Sequence, residues 1–146
     1  MIRHAEPEDF PRVAAVIDEW WGRRGMRGML PRLFFVHFRE TSFVAEHEGR
    51  LVGFLAGFLS QTFADEAYIH FVGVDPGHRR SGLGRELYGH FFATVRAHGR
   101  SVIRCVTAPM NRGSVRFHER LGFEVERVAD DYDGSGESRI LFVKRI

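Results

Sequence analysis

The residues best suited to chemistry lie between positions 72 and 87. An apolar run, Ile69 to Val74, ends in the turn Asp75-Pro76-Gly77, and Arg79-Arg80-Ser81-Gly82-Leu83-Gly84-Arg85 follows. Leu83, Leu87, Phe91 and Val95 then recur at helical spacing, which predicts a helix from Gly82 to about His98. The glycines thus open a helix whose first N–H groups lack internal partners and whose dipole attracts negative charge, a ready site for phosphate or pyrophosphate. Gly82 and Gly84 carry no Cβ and let a ligand approach the main chain. Arg79, Arg80 and Arg85 add forked donors. A plain strand-turn-helix cap with surface arginines fits the same residues.

Other phosphate motifs fit less well. The chain has no G-x-x-x-x-G-K-[ST] and no G-x-G-x-x-G after its first strand, which argues against nucleotide hydrolysis and dinucleotide redox chemistry. The arrangement Arg79-x-x-Gly82-x-Gly84 instead resembles the pyrophosphate loop of the GNAT superfamily of acyl-CoA-dependent N-acetyltransferases. A second block, Asn111-Arg-Gly-Ser114-Val-Arg-Phe117-His118-Glu-Arg-Leu121-Gly122-Phe123, resembles that family's asparagine-led helix followed by Leu-Gly-Phe. Asn111 reads as an N-cap and Gly122 as a left-handed helix stop.

The resemblance extends over nearly the whole chain. It implies an α/β fold, a single domain over residues 1–146, with a mixed, splayed central sheet flanked by helices in the order β-α-α-β-β-β-α-β-α-β-β. The two splayed strands should be Ala67–Val74 and Ser101–Thr107, with acyl-CoA in the gap between them. Main-chain donors near Val72 and Val74 would bind the pantetheine amides as a substitute strand and polarise the thioester carbonyl. Gly73 suits either a bulge there or tight packing on a helix. Asn111 and residues 79–85 complete the implied cofactor site. The implied reaction is direct attack of a neutral amine on acetyl-CoA in a ternary complex, with no metal. An alkylammonium has a pKa of about 10, so a base must free the amine, and the departing thiolate benefits from an acid.

Two positions depart from the family pattern. His118 stands where a tyrosine acid is usual; an imidazole can donate to the thiolate, or simply pack and hydrogen-bond locally. The usual strand glutamate is replaced by an apolar residue at or next to Val106. On the preceding strand Glu66, Tyr68 and His70 alternate onto one face, shared with Val72 and Val74 if the strand is regular. Each is a candidate base, directly or through water, with Glu66 and His70 ahead of Tyr68 as acceptors near neutral pH. These departures sustain an alternative: a noncatalytic acyl-CoA-binding or sensing module with the same fold.

The elements that must position these groups read along the chain. Met1 to Ala5 is a short strand, and Val13, Val16, Ile17 and Trp20 mark an amphipathic helix. Trp21 to Gly28 reads as a glycine-rich loop, Leu30 to Phe38 as a second helix, and Ser42–Glu48 with Leu51–Phe58 as a hairpin. Terminal strands are predicted near Phe123–Val128 and Arg139–Lys144. Trp20, Trp21, Phe34, Phe35, His37 and Phe38 offer walls for an amine pocket, though most read as core. Asp130, Asp131, Tyr132, Asp133 and Glu137 form an acidic loop that either attracts a cationic substrate or is a solvated turn.

With 146 residues and 44% hydrophobic content the chain can bury a sizeable core. A net charge of +2 with no basic stripe interleaved with aromatics argues against nucleic acid. The lone Cys105 rules out an intrachain disulfide and reads as a small packed hydrophobe rather than an acyl carrier. Without an apolar leader or an apolar run near 18 residues, no membrane association and a cytoplasmic location are expected. The expected partner is an amine-bearing acceptor, small molecule or protein, with a homodimer compatible.

Overall fold

The computed structural model describes residues 1–22 and 25–146. Its strands are β1 (Ile2–His4), β2 (Phe43–His47), β3 (Arg50–Leu59), β4 (Glu66–Val74), β5 (Val102–Thr107), β6 (Glu124–Ala129) and β7 (Arg139–Arg145). The α-helices are α1 (Asp9–Trp21), α2 (Leu83–Ala97) and α3 (Arg112–Arg120). The strands form a seven-stranded sheet ordered β1-β2-β3-β4-β5-β7-β6. One face packs α1 through Val13, Ile17, Trp20, Phe54 and Phe71; the other packs α2 and α3 through Leu87, Tyr88, Phe91 and His118.

All neighbouring strands pair antiparallel except β4 and β5. These two run parallel and pair only at Glu66↔Val102, Ala67↔Ile103 and Tyr68↔Arg104, then diverge. The expected splay is therefore present. It opens toward the carboxyl ends of both strands, where the turn into α2 begins.

The bulge lies at His70, not Gly73. Along β3, Ala56 pairs with Phe71 and its neighbour Gly57 with Ile69, so His70 is the extra residue on β4. One inserted residue reverses which face the following side chains take. Ala67 and Ile69 pack on the α2 side, and so do Val72 and Val74 beyond the bulge, whereas Phe71 packs on the α1 side. Glu66 and Tyr68 therefore do not share a face with Val72 and Val74. Gly73 serves close packing: a Cβ there would lie 2.5 Å from the Phe54 ring and 2.8 Å from Trp21.

The second predicted helix is absent. Met26–Met29, Arg32–Phe35 and Arg39–Thr41 form separate 3₁₀ turns. Pro31 forces Leu30 into extended backbone and is itself extended at ψ 146°. Phe34 and Phe35 are nonetheless buried, so the apolar spacing was a packing signal without a helix behind it. In the predicted glycine-rich loop, Trp21 belongs to α1 and Gly22 closes that helix at φ +67°. Arg23 and Arg24 lie outside the described residues.

Candidate active site

The gap between β4 and β5 is lined by main chain. The Asp75 N–H crosses to Val52 O at 2.9 Å, so Gly73 and Asp75 direct their amides toward β3. By the alternation of a strand, Val72 and Val74 direct theirs into the gap, where β5 no longer pairs.

The turn after β4 delivers α2 to the mouth of the gap. Gly82 sits at φ +83° as its N-cap, a conformation other residues adopt with strain, and its carbonyl accepts from Glu86 N–H at 3.1 Å. The N–H groups of Leu83, Gly84 and Arg85 have no acceptor among the described residues. Ser81 turns inward, its hydroxyl donating to His78 O at 2.6 Å. Arg80 and Arg85 are exposed, ready to meet an anion. Gly84 has a packing part beyond the one expected: a Cβ would lie 3.1 Å from the Phe117 ring, so its small size lets α3 approach α2.

Arg79 also departs from expectation. Its guanidinium donates to the carbonyls of Val74, at 3.2 Å, and Trp20. The side chain ties the loop to the end of α1 instead of reaching into the phosphate cradle. Asn111 is the expected cap of α3, its Oδ1 accepting the Ser114 N–H at 3.2 Å.

The candidate proton carriers are scattered. Glu66 is at the closed end of the splay, six residues before Val72 and so roughly 20 Å away along the strand. Its carboxylate is held by Arg104 at 2.9 Å, turned away from the open end of the gap. Tyr68 stacks on Phe58 with ring centroids 5.5 Å apart. Burial, with Tyr132, Cys105 and Asp133 nearby, pushes its pKa above the ordinary phenol value, so it keeps its proton. His70, exposed by the bulge, lies closest along β4 to Val72 and stacks on Phe34 at 4.8 Å. Its Nε2–H donates to Met29 O at 2.6 Å, which leaves Nδ1 with the lone pair.

His118 does not have the geometry of an acid. It is 7% exposed and stacked on Phe142. Nδ1–H donates to Ser114 O at 2.7 Å, and Nε2 accepts from the Tyr88 hydroxyl at 2.7 Å. Burial lowers its pKa, favouring the neutral ring, and neither nitrogen has a proton free for a thiolate. Tyr88 is the residue missed from the sequence. A hydroxyl between Leu87 and Phe91 on the buried stripe was the available signal, since a buried phenol calls for a partner.

Of the aromatics offered as pocket walls, Trp20, Phe34 and Phe35 are core, Trp21 and Phe38 are half-buried and His37 is exposed. In the loop between β6 and β7, Tyr132 is exposed and Asp133 pairs with Arg139 at 2.9 Å. Cys105 is buried, and burial raises its pKa, which holds it as a thiol. Among the described residues no group of three His, Cys, Asp or Glu side chains could hold a metal, and no helix is long and apolar enough to cross a membrane.

A family profile described as "Acetyltransferase (GNAT) family" matches residues 2–123. An uncharacterized N-acetyltransferase of Methanocaldococcus jannaschii is 34% identical over 90 residues, 59% of this chain and 40% of the relative. The [ribosomal protein bS18]-alanine N-acetyltransferase of Escherichia coli (strain K12) is 26% identical over 101 residues, 69% of this chain and 66% of that enzyme. The chain thus spans under two thirds of the length of both relatives. Among solved structures, a diaminobutyrate acetyltransferase of Paenibacillus lautus, in complex with L-2,4-diaminobutyric acid and coenzyme A, superposes with a TM-score of 0.76. It is 27% identical, and the match covers 98% of this chain and 92% of that one.

Proposed function

The chain belongs to the GNAT family of acetyltransferases, and from that premise we propose that it moves an acetyl group from acetyl-CoA to a primary amine by direct attack in a ternary complex. The observation that carries the reading is the end of β4–β5 pairing at Tyr68 and Arg104, which leaves Val72 and Val74 unpaired beside the open amides of α2.

In this reading the pantetheine lies along β4 as the strand that β5 fails to supply, its amides paired with Val72 and Val74. The pyrophosphate rests on the N–H groups of Leu83, Gly84 and Arg85, with Arg80 and Arg85 neutralising charge. Arg79 positions the loop, and Asn111 holds the start of α3 at the cleft. An N–H from the bulged segment faces the thioester oxygen as it gains negative charge. The amine approaches from the α1 side, past Phe38, Tyr68 and His70. His70 Nδ1 takes the ammonium proton, directly or through a water. The nitrogen attacks the carbonyl carbon, gives its second proton to water as the carbon–sulfur bond breaks, and the thiolate takes a proton from solvent at the cleft. His118 keeps α3 seated against α2 and β7. The bS18 and diaminobutyrate enzymes support an amine acceptor, protein or small molecule.

Binding without transfer is the second reading, favoured by the engagement of both His118 nitrogens. A thermal shift with acetyl-CoA, CoA and ATP, followed by an amine panel read as CoA release, separates the two. Ligand at one hundred times its Kd should stabilise by about 2.7 kcal/mol. A shift with acetyl-CoA and CoA but not ATP, with amine-dependent CoA release, supports transfer. A shift without release supports binding alone, and no shift at millimolar acetyl-CoA overturns both.

A further inference from the structure

His70 is held more firmly than an exposed side chain ordinarily is. The bulge on β4 turns it outward, where an imidazole usually spreads over several rotamers. Two groups from the segment between α1 and β2 fix it. The Phe34 ring lies face to face with it, centroids 4.8 Å apart and planes 5° from parallel. The Met29 carbonyl accepts its Nε2–H at 2.6 Å. A carbonyl only accepts, so the neutral ring must carry its proton on Nε2 and keep the lone pair on Nδ1.

Both groups are available because the helix expected over Leu30–Phe38 does not form. In that helix the Met29 carbonyl would accept the Leu33 N–H. Leu30 and Pro31 are instead extended, and no backbone N–H among the described residues reaches the Met29 carbonyl. Phe34 is itself immobilised, 5% exposed and packed on Phe38 and Phe58 with ring centroids 5.3 and 6.3 Å away. A buried ring thus backs an exposed one, on the segment that continues to Phe38.

We propose that Phe34 and the Met29 carbonyl position His70 for proton transfer, holding the ring in the plane and tautomer in which Nδ1 receives the ammonium proton. The proposal rests on the reading of His70 as the base, and Phe34 acts through His70 as a positioning residue. The ammonium N–H bond breaks with its electron pair left on nitrogen, and Nδ1 gains the proton. The imidazolium keeps its Nε2–H bond to Met29, now charge-assisted. Orientation of this kind matters because a misplacement of about 1 Å can cost about 10²-fold in rate.

NMR of the imidazole nitrogens, with the His70 signals assigned by their loss in His70→Ala, reads the tautomer. Steady-state CoA release with the best amine of the panel, well below each Tm, reads kcat and KM. The wild type should show the Nε2–H tautomer alone when the ring is neutral. Phe34→Leu and Phe34→Met keep apolar bulk without a ring; they should mix the tautomers and lower kcat by about tenfold, with acetyl-CoA KM within about twofold of wild type. Ile17→Ala thins the same core cluster and should lower Tm while keeping the wild-type tautomer and kcat. Mixed tautomers in the wild type, wild-type kcat in both Phe34 variants, or an equal kcat loss in Ile17→Ala overturns the proposal, and a large kcat loss in His70→Ala then leaves the base reading standing. Wild-type kcat in His70→Ala, or no amine-dependent CoA release by the wild type, overturns the base reading and the proposal with it.

Discussion

Tyr88 and His118 make the sharpest test of the chemistry, because removing one partner and removing both lead to opposite expectations. Tyr88→Phe deletes the donor to His118 Nε2 and leaves that nitrogen buried without a partner; His118→Phe strands the phenol hydroxyl in the same way. A buried unsatisfied polar group costs about 1–3 kcal/mol. For a chain of this length each kcal/mol moves Tm by about 2–4 °C, so an intermediate cost of ~2 kcal/mol lowers Tm by roughly 4–8 °C in either single variant. The double variant replaces the pair with rings against Phe117, Phe123 and Phe142 and should recover much of that loss, to within about 1 kcal/mol of wild type, giving a coupling energy of about 3 kcal/mol. Thermal melts of the four proteins read the coupling. Steady-state CoA release, assayed well below each Tm, reads the chemistry. Because His118 has no proton to give, the double variant should keep kcat within about threefold of wild type. A positioned general acid contributes about 10²–10⁴-fold. A loss of that size in a double variant of restored stability would refute the seating role and return His118 to the part of proton donor. Additive Tm losses would refute the hydrogen bond itself.

Three further outcomes follow from the same geometry. His70→Ala should lower kcat by about 10²-fold or more with little change in acetyl-CoA KM if Nδ1 is the proposed acceptor, whereas Tyr68→Phe should change kcat little; equal effects of the two would sink the assignment of the base. Gly73→Ala should cost about 1–3 kcal/mol by overpacking Phe54 and Trp21, read by chemical denaturation, and an unchanged midpoint would mean that α1 yields freely. Burial holds His118 below its ordinary value of 6.5, so the unfolded chain binds its proton more readily than the folded one. Its contribution to stability is complete above pH ~6.5 and lost as pH falls through that value toward the lowered one. Tm should drop over that window, and by less in the Tyr88→Phe/His118→Phe protein; an identical acid-side drop would place the effect on other groups.

What the sequence by itself determined was set by contacts a few residues apart. The apolar stripe of α2, the Asn111 cap, the Gly22, Gly82 and Gly122 turns and the alternation of the strands all depend on neighbours within about one helical turn or one hairpin. The amides of Val72 and Val74 were legible in part for the same reason, once a splay was expected from the family resemblance. The tertiary structure decided everything that depends on a partner far along the chain. The bulge at His70 exists only in register with Ala56 and Gly57, and it alone sends Val72 and Val74 to the face opposite Tyr68. Arg79 finds its acceptor 59 residues away at Trp20, and His118 finds Tyr88 at a separation of 30 residues. In the segment after α1, Pro31 broke a helical pattern that the buried Phe34 and Phe35 still satisfy. A polar side chain announces that it needs a partner, but which partner it meets is settled by strand register and helix packing, and those are properties of the assembled core.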